Sequence, residues 1–201
     1  MAAPGWPARL QRGELVLRPL RLRDSAAWSE VRAANVAWLS PWEATSPDGP
    51  LPPASFSSLV RSLAHQGRSG TSMPFALEWR GRLAGQVTVG AIEWGSLRSA
   101  NVGYWLDGRL AGQGLMPRAV AMTIDHCFDV ARLHRVEVNI RPENAASRRV
   151  AEKLGLRHEG LRRGFLHIAG AWRDHDSYAI TAPEVPEGMW RRVAGRDATT
   201  S

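Results

Sequence analysis

Residues 101–118 are NVGYWLDGRLAGQGLMPR. An apolar strand runs to Asp107, glycines follow at 108, 112 and 114, and an apolar-periodic helix begins directly behind them. Such a turn leaves several backbone N–H groups exposed at a helix N-terminus, where the dipole adds to their attraction for an anion. It is a candidate phosphate site. No Gly-Lys-Ser/Thr follows the glycines, which argues against a nucleoside-triphosphate loop, and Pro117 stands where a dinucleotide fingerprint needs its third glycine. Nor is there an acid about 20 residues on to clamp a ribose; that region reads Arg132-Leu133-His134-Arg135.

Downstream, Met116, Val120, Ile124, Cys127, Phe128 and Ala131 form one helical stripe, and Val136, Val138 and Ile140 alternate with Glu137 and Asn139 as in a strand. Strand, loop, helix and strand make a crossover, so the two strands are expected to be parallel neighbours. Asn144 then reads as the N-cap of a helix that carries Ser147 and ends at Gly155. A hairpin turning at Ala169-Gly170 follows, with Tyr178 expected as a core strand residue.

Upstream, Glu14 to Arg18 reads as a first strand. Asp24 is the expected N-cap of a helix placing Trp28 and Val31 on the core and ending before Pro41, and a further helix is expected from Phe56 to Ala64. Trp38 and Trp42, beside a Pro/Gly loop, either wall a substrate cleft or pack locally on the sheet. Strands at residues 75–79, 83–94 and 101–106 form an antiparallel meander leading into the glycine turn. The fold class is thus mixed α/β. Residues 1–13 and 183–201 are expected to be flexible ends around a single domain at 14–182.

With 44% hydrophobic and 22% charged residues, the composition is that of an ordinary globular domain. The start of the chain lacks a signal-peptide pattern and no run of apolar residues is long enough to span a bilayer, so the expectation is a cytoplasmic protein with no membrane partner. Cys127, the single cysteine, lies on the apolar stripe and reads as an inert core thiol. The net charge of +7 suits a phosphate-bearing partner. The excess is almost all arginine, Lys153 being the only lysine, and the arginines lack aromatic interleaving, so direct nucleic-acid recognition is not expected.

Arg109-Leu110-Ala111-Gly112-Gln113-Gly114 resembles the Arg/Gln-x-x-Gly-x-Gly/Ala pyrophosphate loop of the GNAT acyltransferases. Taken with VNIRPENAASRRVAEKLGLRHEG and GAWRDHDSYAI, it is similar to the RimJ/RimL branch of that superfamily, from about Leu15 to Ile180. The resemblance implies a GNAT fold, a central, mostly antiparallel twisted sheet with one splayed parallel strand pair, flanked by helices. It implies acetyl-CoA as co-substrate, with no metal. The pyrophosphate would rest on the N–H groups from Leu110 to Leu115, and the pantetheine arm would run along Tyr104, Trp105 and Leu106 with Asn139 and Asn144 as further contacts. The implied activity is direct acetyl transfer in a ternary complex to an amine, foremost the N-terminal α-amino group of a ribosomal protein, with ribosome association a further expectation. A small-amine acetyltransferase and a non-catalytic, ribosome-associated acyl-CoA-binding protein are the alternatives.

Ser147 occupies the position from which this branch is proposed to protonate the leaving thiolate; its hydroxyl alternatively bonds backbone or cofactor. Related enzymes carry a glutamate base where this chain reads Arg163-Gly164-Phe165-Leu166-His167. His167, and Glu93 acting through water, are the candidate replacements for that base; the alternative for each is a plain role in the hairpin or at the sheet edge, with the base weak or absent. An α-amino group with pKa about 7.8 is roughly one-seventh neutral at pH 7, whereas a lysine at about 10.4 is neutral only about one time in 2,500. A weak base thus favours an N-terminal acceptor over a lysine.

Overall fold

A computed structural model of the chain describes residues 4–49 and 54–198. Eight strands form one sheet: β1 (Leu10–Arg12), β2 (Leu15–Pro19), β3 (Met73–Trp79), β4 (Arg82–Glu93), β5 (Ser99–Leu106), β6 (Arg135–Ile140), β7 (Arg157–Ile168) and β8 (Ala171–Thr181). Their spatial order is β1-β2-β3-β4-β5-β6-β8-β7. Every neighbouring pair is antiparallel except β5 and β6. The helices are α1 (Ser25–Ala34), α2 (Val36–Leu39), α3 (Phe56–Ser69), α4 (Leu115–Asp129), α5 (Ala145–Leu154) and α6 (Met189–Ala198). The expected GNAT architecture is present.

The parallel pair is short. Only Ser99, Ala100 and Asn101 of β5 oppose Arg135, Val136 and Glu137 of β6. Beyond them both strands continue, each held on its outer side by β4 or β8, and a gap opens between them. Three side chains lace the vertex: Asn139 donates to the Asn101 side-chain carbonyl at 2.8 Å, and the Ser177 hydroxyl donates to the Asn139 carbonyl at 2.9 Å.

The α4 stripe is buried as expected, but Leu115, Ala119, Ala121 and Met122 on its other sides are buried too. A helix apolar all round must be covered all round, and α6 supplies the second cover, with Met189 and Val193 buried. The chain from residue 183 thus continues into a helix packed on α4. Asp125 of α4 accepts the Met189 and Trp190 N–H groups and so caps α6.

The described part of residues 1–13 also meets the body of the fold. Strand β1 pairs with β2, and Trp6 meets Phe75 edge-on at 5.0 Å. Trp6 fits because Gly67 lacks a side chain; a Cβ there would stand 1.9 Å from the indole nitrogen.

Asp24 precedes α1 without capping it through its side chain; its carboxylate is buried against Arg18 at 2.7 Å instead. The helix behind it is broken at Asn35, and α3 runs on to Ser69 rather than stopping at Ala64. Tyr178 is a buried residue of β8. Cys127 is fully buried, which pushes its thiol up to about 12. Among the described residues no helix is long and apolar enough to cross a membrane.

Candidate active site

The gap between β5 and β6 opens into a cleft of about 710 Å³ lined by β4, β5, the glycine turn, the start of α5 and the segment after α1. Its geometry follows from strand register. The Asp107 N–H donates to the Ala84 carbonyl at 2.8 Å, which fixes the alternation along the antiparallel ladder. The peptide groups of Gly103 and Trp105 therefore face β4, and those of Tyr104 and Leu106 face the gap. Strands β4 and β5 lie close here because Gly85 has no side chain; a Cβ would stand 2.3 Å from the Trp105 carbonyl oxygen.

The turn is held before it is used. Asp107 is buried, accepts the Arg109 N–H at 3.0 Å and pairs with the Arg109 guanidinium at 2.6 Å. The guanidinium holds the Asp107 carboxyl below its ordinary range. Asn35 donates to the same carboxylate at 3.1 Å and accepts the Gly108 N–H at 2.8 Å. A residue that looks like one more turn of helix in the sequence thus breaks α1 from α2 and clasps the loop.

The expected span of N–H donors is corrected by one short turn. Residues 108–110 form a 3-10 helix in which the Leu110 and Ala111 N–H groups are taken by the Asp107 and Gly108 carbonyls. The N–H groups of Gly112, Gln113, Gly114 and Leu115 have no acceptor among the described residues. Gly112 and Gly114 have φ of 82° and 73°, a conformation that disfavours side chains and turns successive N–H groups to one side. Ala111, Gly112, Gly114 and Leu115 line the cleft. Arg109, Leu110 and Gln113 do not; the Arg109 charge is directed at Asp107.

On the opposite wall Asn144 caps α5, accepting the Ser147 N–H at 3.0 Å, and both residues line the cleft. The buried Tyr104 hydroxyl donates to the Ser147 carbonyl at 3.3 Å. Burial pushes the Tyr104 phenol far up, so it stays neutral. The Ser147 hydroxyl makes no hydrogen bond to a described residue.

Trp38 and Trp42 both line the cleft. The Trp38 indole N–H donates to the Leu106 carbonyl at 3.2 Å, and Arg141 lies over the Trp42 ring at 5.3 Å. Three other expected residues lie elsewhere. Asn139 spends both polar atoms at the vertex. Glu93 opposes Ser99 at the far end of β5, seven residues or about 23 Å from Leu106 at ~3.3 Å each. His167 is tied to Thr45 through its Nδ1 at 2.8 Å and meets Trp172 edge-on, outside the cleft lining. The carboxylates that do line it are Glu43 and Glu143, neither of which stands out by spacing in the sequence. No group of three or more His, Cys, Asp or Glu among the described residues has a metal-holding arrangement.

Comparison with known proteins agrees with this geometry. The acetyltransferase (GNAT) domain family matches residues 14–157. The chain is 27% identical to the Escherichia coli [ribosomal protein uS5]-alanine N-acetyltransferase over 90% of its own length and 94% of that protein. It is 41% identical to the probable N-acetyltransferase YjcK of Bacillus subtilis, in a match spanning 51% of this chain and 57% of the relative. The structure of Mycobacterium smegmatis RimJ in complex with CoA-disulfide superposes with a TM-score of 0.91 at 39% identity, covering 98% of both chains. A strand gap beside a glycine turn with unspent N–H groups, matched in sequence along most of the chain, has one reading: the chain belongs to the GNAT acetyltransferase family.

Proposed function

We propose that the protein transfers the acetyl group of acetyl-CoA directly to the N-terminal α-amino group of a ribosomal protein. The single observation that carries the cofactor reading is the pairing of a splayed strand with an anion-binding turn in one cleft. The N–H groups of Gly112 to Leu115 suit the pyrophosphate, and the outward peptide groups of Tyr104 and Leu106 suit an extended amide-bearing arm pairing like a third strand. Asn144 lines the same path while capping α5. The acceptor is taken from the relatives, one of which acts on an N-terminal alanine of a ribosomal protein by its name.

Bound acetyl-CoA supplies an activated acyl thioester. The chain's own contribution is placement. A backbone N–H of Tyr104 or Leu106 stabilises charge developing on the acyl oxygen. The Ser147 hydroxyl, beside the anchored Tyr104, gives a proton to the departing sulfur. No cysteine is available for a covalent route, since Cys127 is buried under the sheet. Both substrates therefore occupy the cleft together.

The test is mass spectrometry of purified ribosomal proteins incubated with acetyl-CoA and the enzyme. A single acetyl group on one N-terminus supports the reading. Acetylation of small amines alone moves the acceptor class to that alternative, and tight acetyl-CoA binding without turnover leaves a binding protein.

A further inference from the structure

The cleft joins two faces of the sheet. Register places Gln86, Thr88, Gly103 and Trp105 on the face that α1 covers, where Trp28 meets Trp105 edge-on at 5.5 Å. Tyr104 lies on the other face, with Ser147. The leaving sulfur belongs to the Ser147 side, so the incoming amine belongs to the Trp105 side.

A carboxylate is fixed on that side. Arg32 of α1 lies over the Trp105 ring at 5.4 Å and pairs with Glu43 at 2.5 Å, and Glu43 lines the cleft beside Trp38 and Trp42. Arg32 pairs with the carboxylate through Oε1, and an ionised carboxylate offers about four lone-pair sites, enough to meet a second cation as well. The other cleft carboxylate, Glu143, opens the α5 wall next to Asn144, is 64% exposed and is turned to Arg141. It stands with the thiolate side. Glu43, with its side chain 41% exposed, lines the cleft among Trp38, Trp42 and Trp105, where an ammonium entering beside the rings meets a counter-charge.

We propose that Glu43 receives the acceptor's N-terminal ammonium and takes its proton, an inference that rests on the function proposed above. The protons balance. One leaves the ammonium for Glu43 and passes to solvent. The neutral nitrogen then bonds to the acyl carbon as the carbon–sulfur bond breaks, a second nitrogen proton is lost, and one proton joins the sulfur through Ser147. Each turnover releases one proton net. Arg32 is the positioning residue: it aims Glu43 from the Trp105 face.

The experiment is steady-state acetylation of a short peptide with an N-terminal alanine, from about pH 6 to 9. Wild type is compared with E43Q, E43D and E143Q, with E93Q as a remote control. Calorimetry follows acetyl-CoA affinity in parallel. E43Q is expected to raise the acceptor KM about tenfold or more, equivalent to ~1.4 kcal/mol, with acetyl-CoA affinity unchanged. Its kcat/KM is expected to follow the free amine, rising only toward about pH 7.8. E43D recovers part of the loss, and E93Q matches wild type. An active wild type whose E43Q variant keeps its KM and pH profile overturns the assignment, as does a loss that falls on E143Q instead. A wild type that acetylates no peptide overturns the proposed function and this inference with it, and the wild-type arm alone reveals that case.

Discussion

Tyr104 donates its buried hydroxyl to the backbone carbonyl of Ser147 at 3.3 Å, so the strand bordering the gap is tied to the helix on its far wall. Tyr104→Phe removes one part-buried hydrogen bond, while the Ser147 carbonyl keeps its acceptor role within α5. Stability is expected to fall by about 1 kcal/mol. If the tie sets the Ser147 position, kcat falls as well while acetyl-CoA affinity holds; denaturant melts and kinetics on the same preparation measure both.

Ser147→Ala isolates the proton donor. Its N–H remains capped by Asn144, so α5 should keep its stability. The expected result is a drop in kcat of about 10²-fold, the lower end for general acid–base catalysis, at constant acetyl-CoA affinity. Equal losses in both would make Ser147 a binding residue.

Gly112→Val and Gly114→Val test the turn. No atom lies within 4 Å of a Cβ built at either position, so packing does not oppose the change. The backbone does: φ near +80° costs a side chain roughly 1–2 kcal/mol, more for a β-branched one. The loop should leave its conformation and scatter its N–H groups. Acetyl-CoA affinity by calorimetry is expected to fall at least tenfold with little change in melting temperature.

Asp107 gives the loop a pH dependence. The Arg109 guanidinium, then hydrogen bonds from the Arg109 N–H and Asn35, hold the Asp107 carboxyl below its unfolded value of about 3.9 against the opposing effect of burial. A lowered folded pKa contributes stability that is fully present above the unfolded pKa and is lost as pH falls through the folded one. Asp107→Asn should therefore cost about 1–3 kcal/mol at neutral pH. The difference from wild type should shrink in melts taken below about pH 4; a constant difference would contradict it.

The loop, the crossover and the α5 cap were legible because each is local: glycines at fixed offsets, a 3.6-residue stripe, an Asn before a helix. What stayed hidden depends on partners distant in sequence. Asn35 sits at helical spacing, and only the fold brings it to Gly108, 73 residues away. Asn139 points to the expected side of β6, yet Asn101 and Ser177 reach it first. His167 is a candidate base by sequence, but a bridge between Ala44 and Ile168 ties that hairpin to Thr45. Glu43 lies in a stretch without periodicity, and nothing but its ion pair with Arg32 assigns it a direction. The ends read as tails because apolar residues there, among them Trp6, Met189 and Val193, have partners only in three dimensions.

The laced vertex at Asn101, Asn139 and Ser177 makes the opening a slot of set width. Each bordering strand is bound along its outer edge, so widening the slot requires breaking a ladder. On the cofactor placement proposed above, a two-carbon acyl unit would end inside it, and a longer chain would have to continue toward the space proposed for the amine. Long-chain thioesters should therefore bind as dead-end inhibitors competitive with the acceptor, and the donor range of the enzyme is set by sheet geometry rather than by any side chain that reads the acyl group.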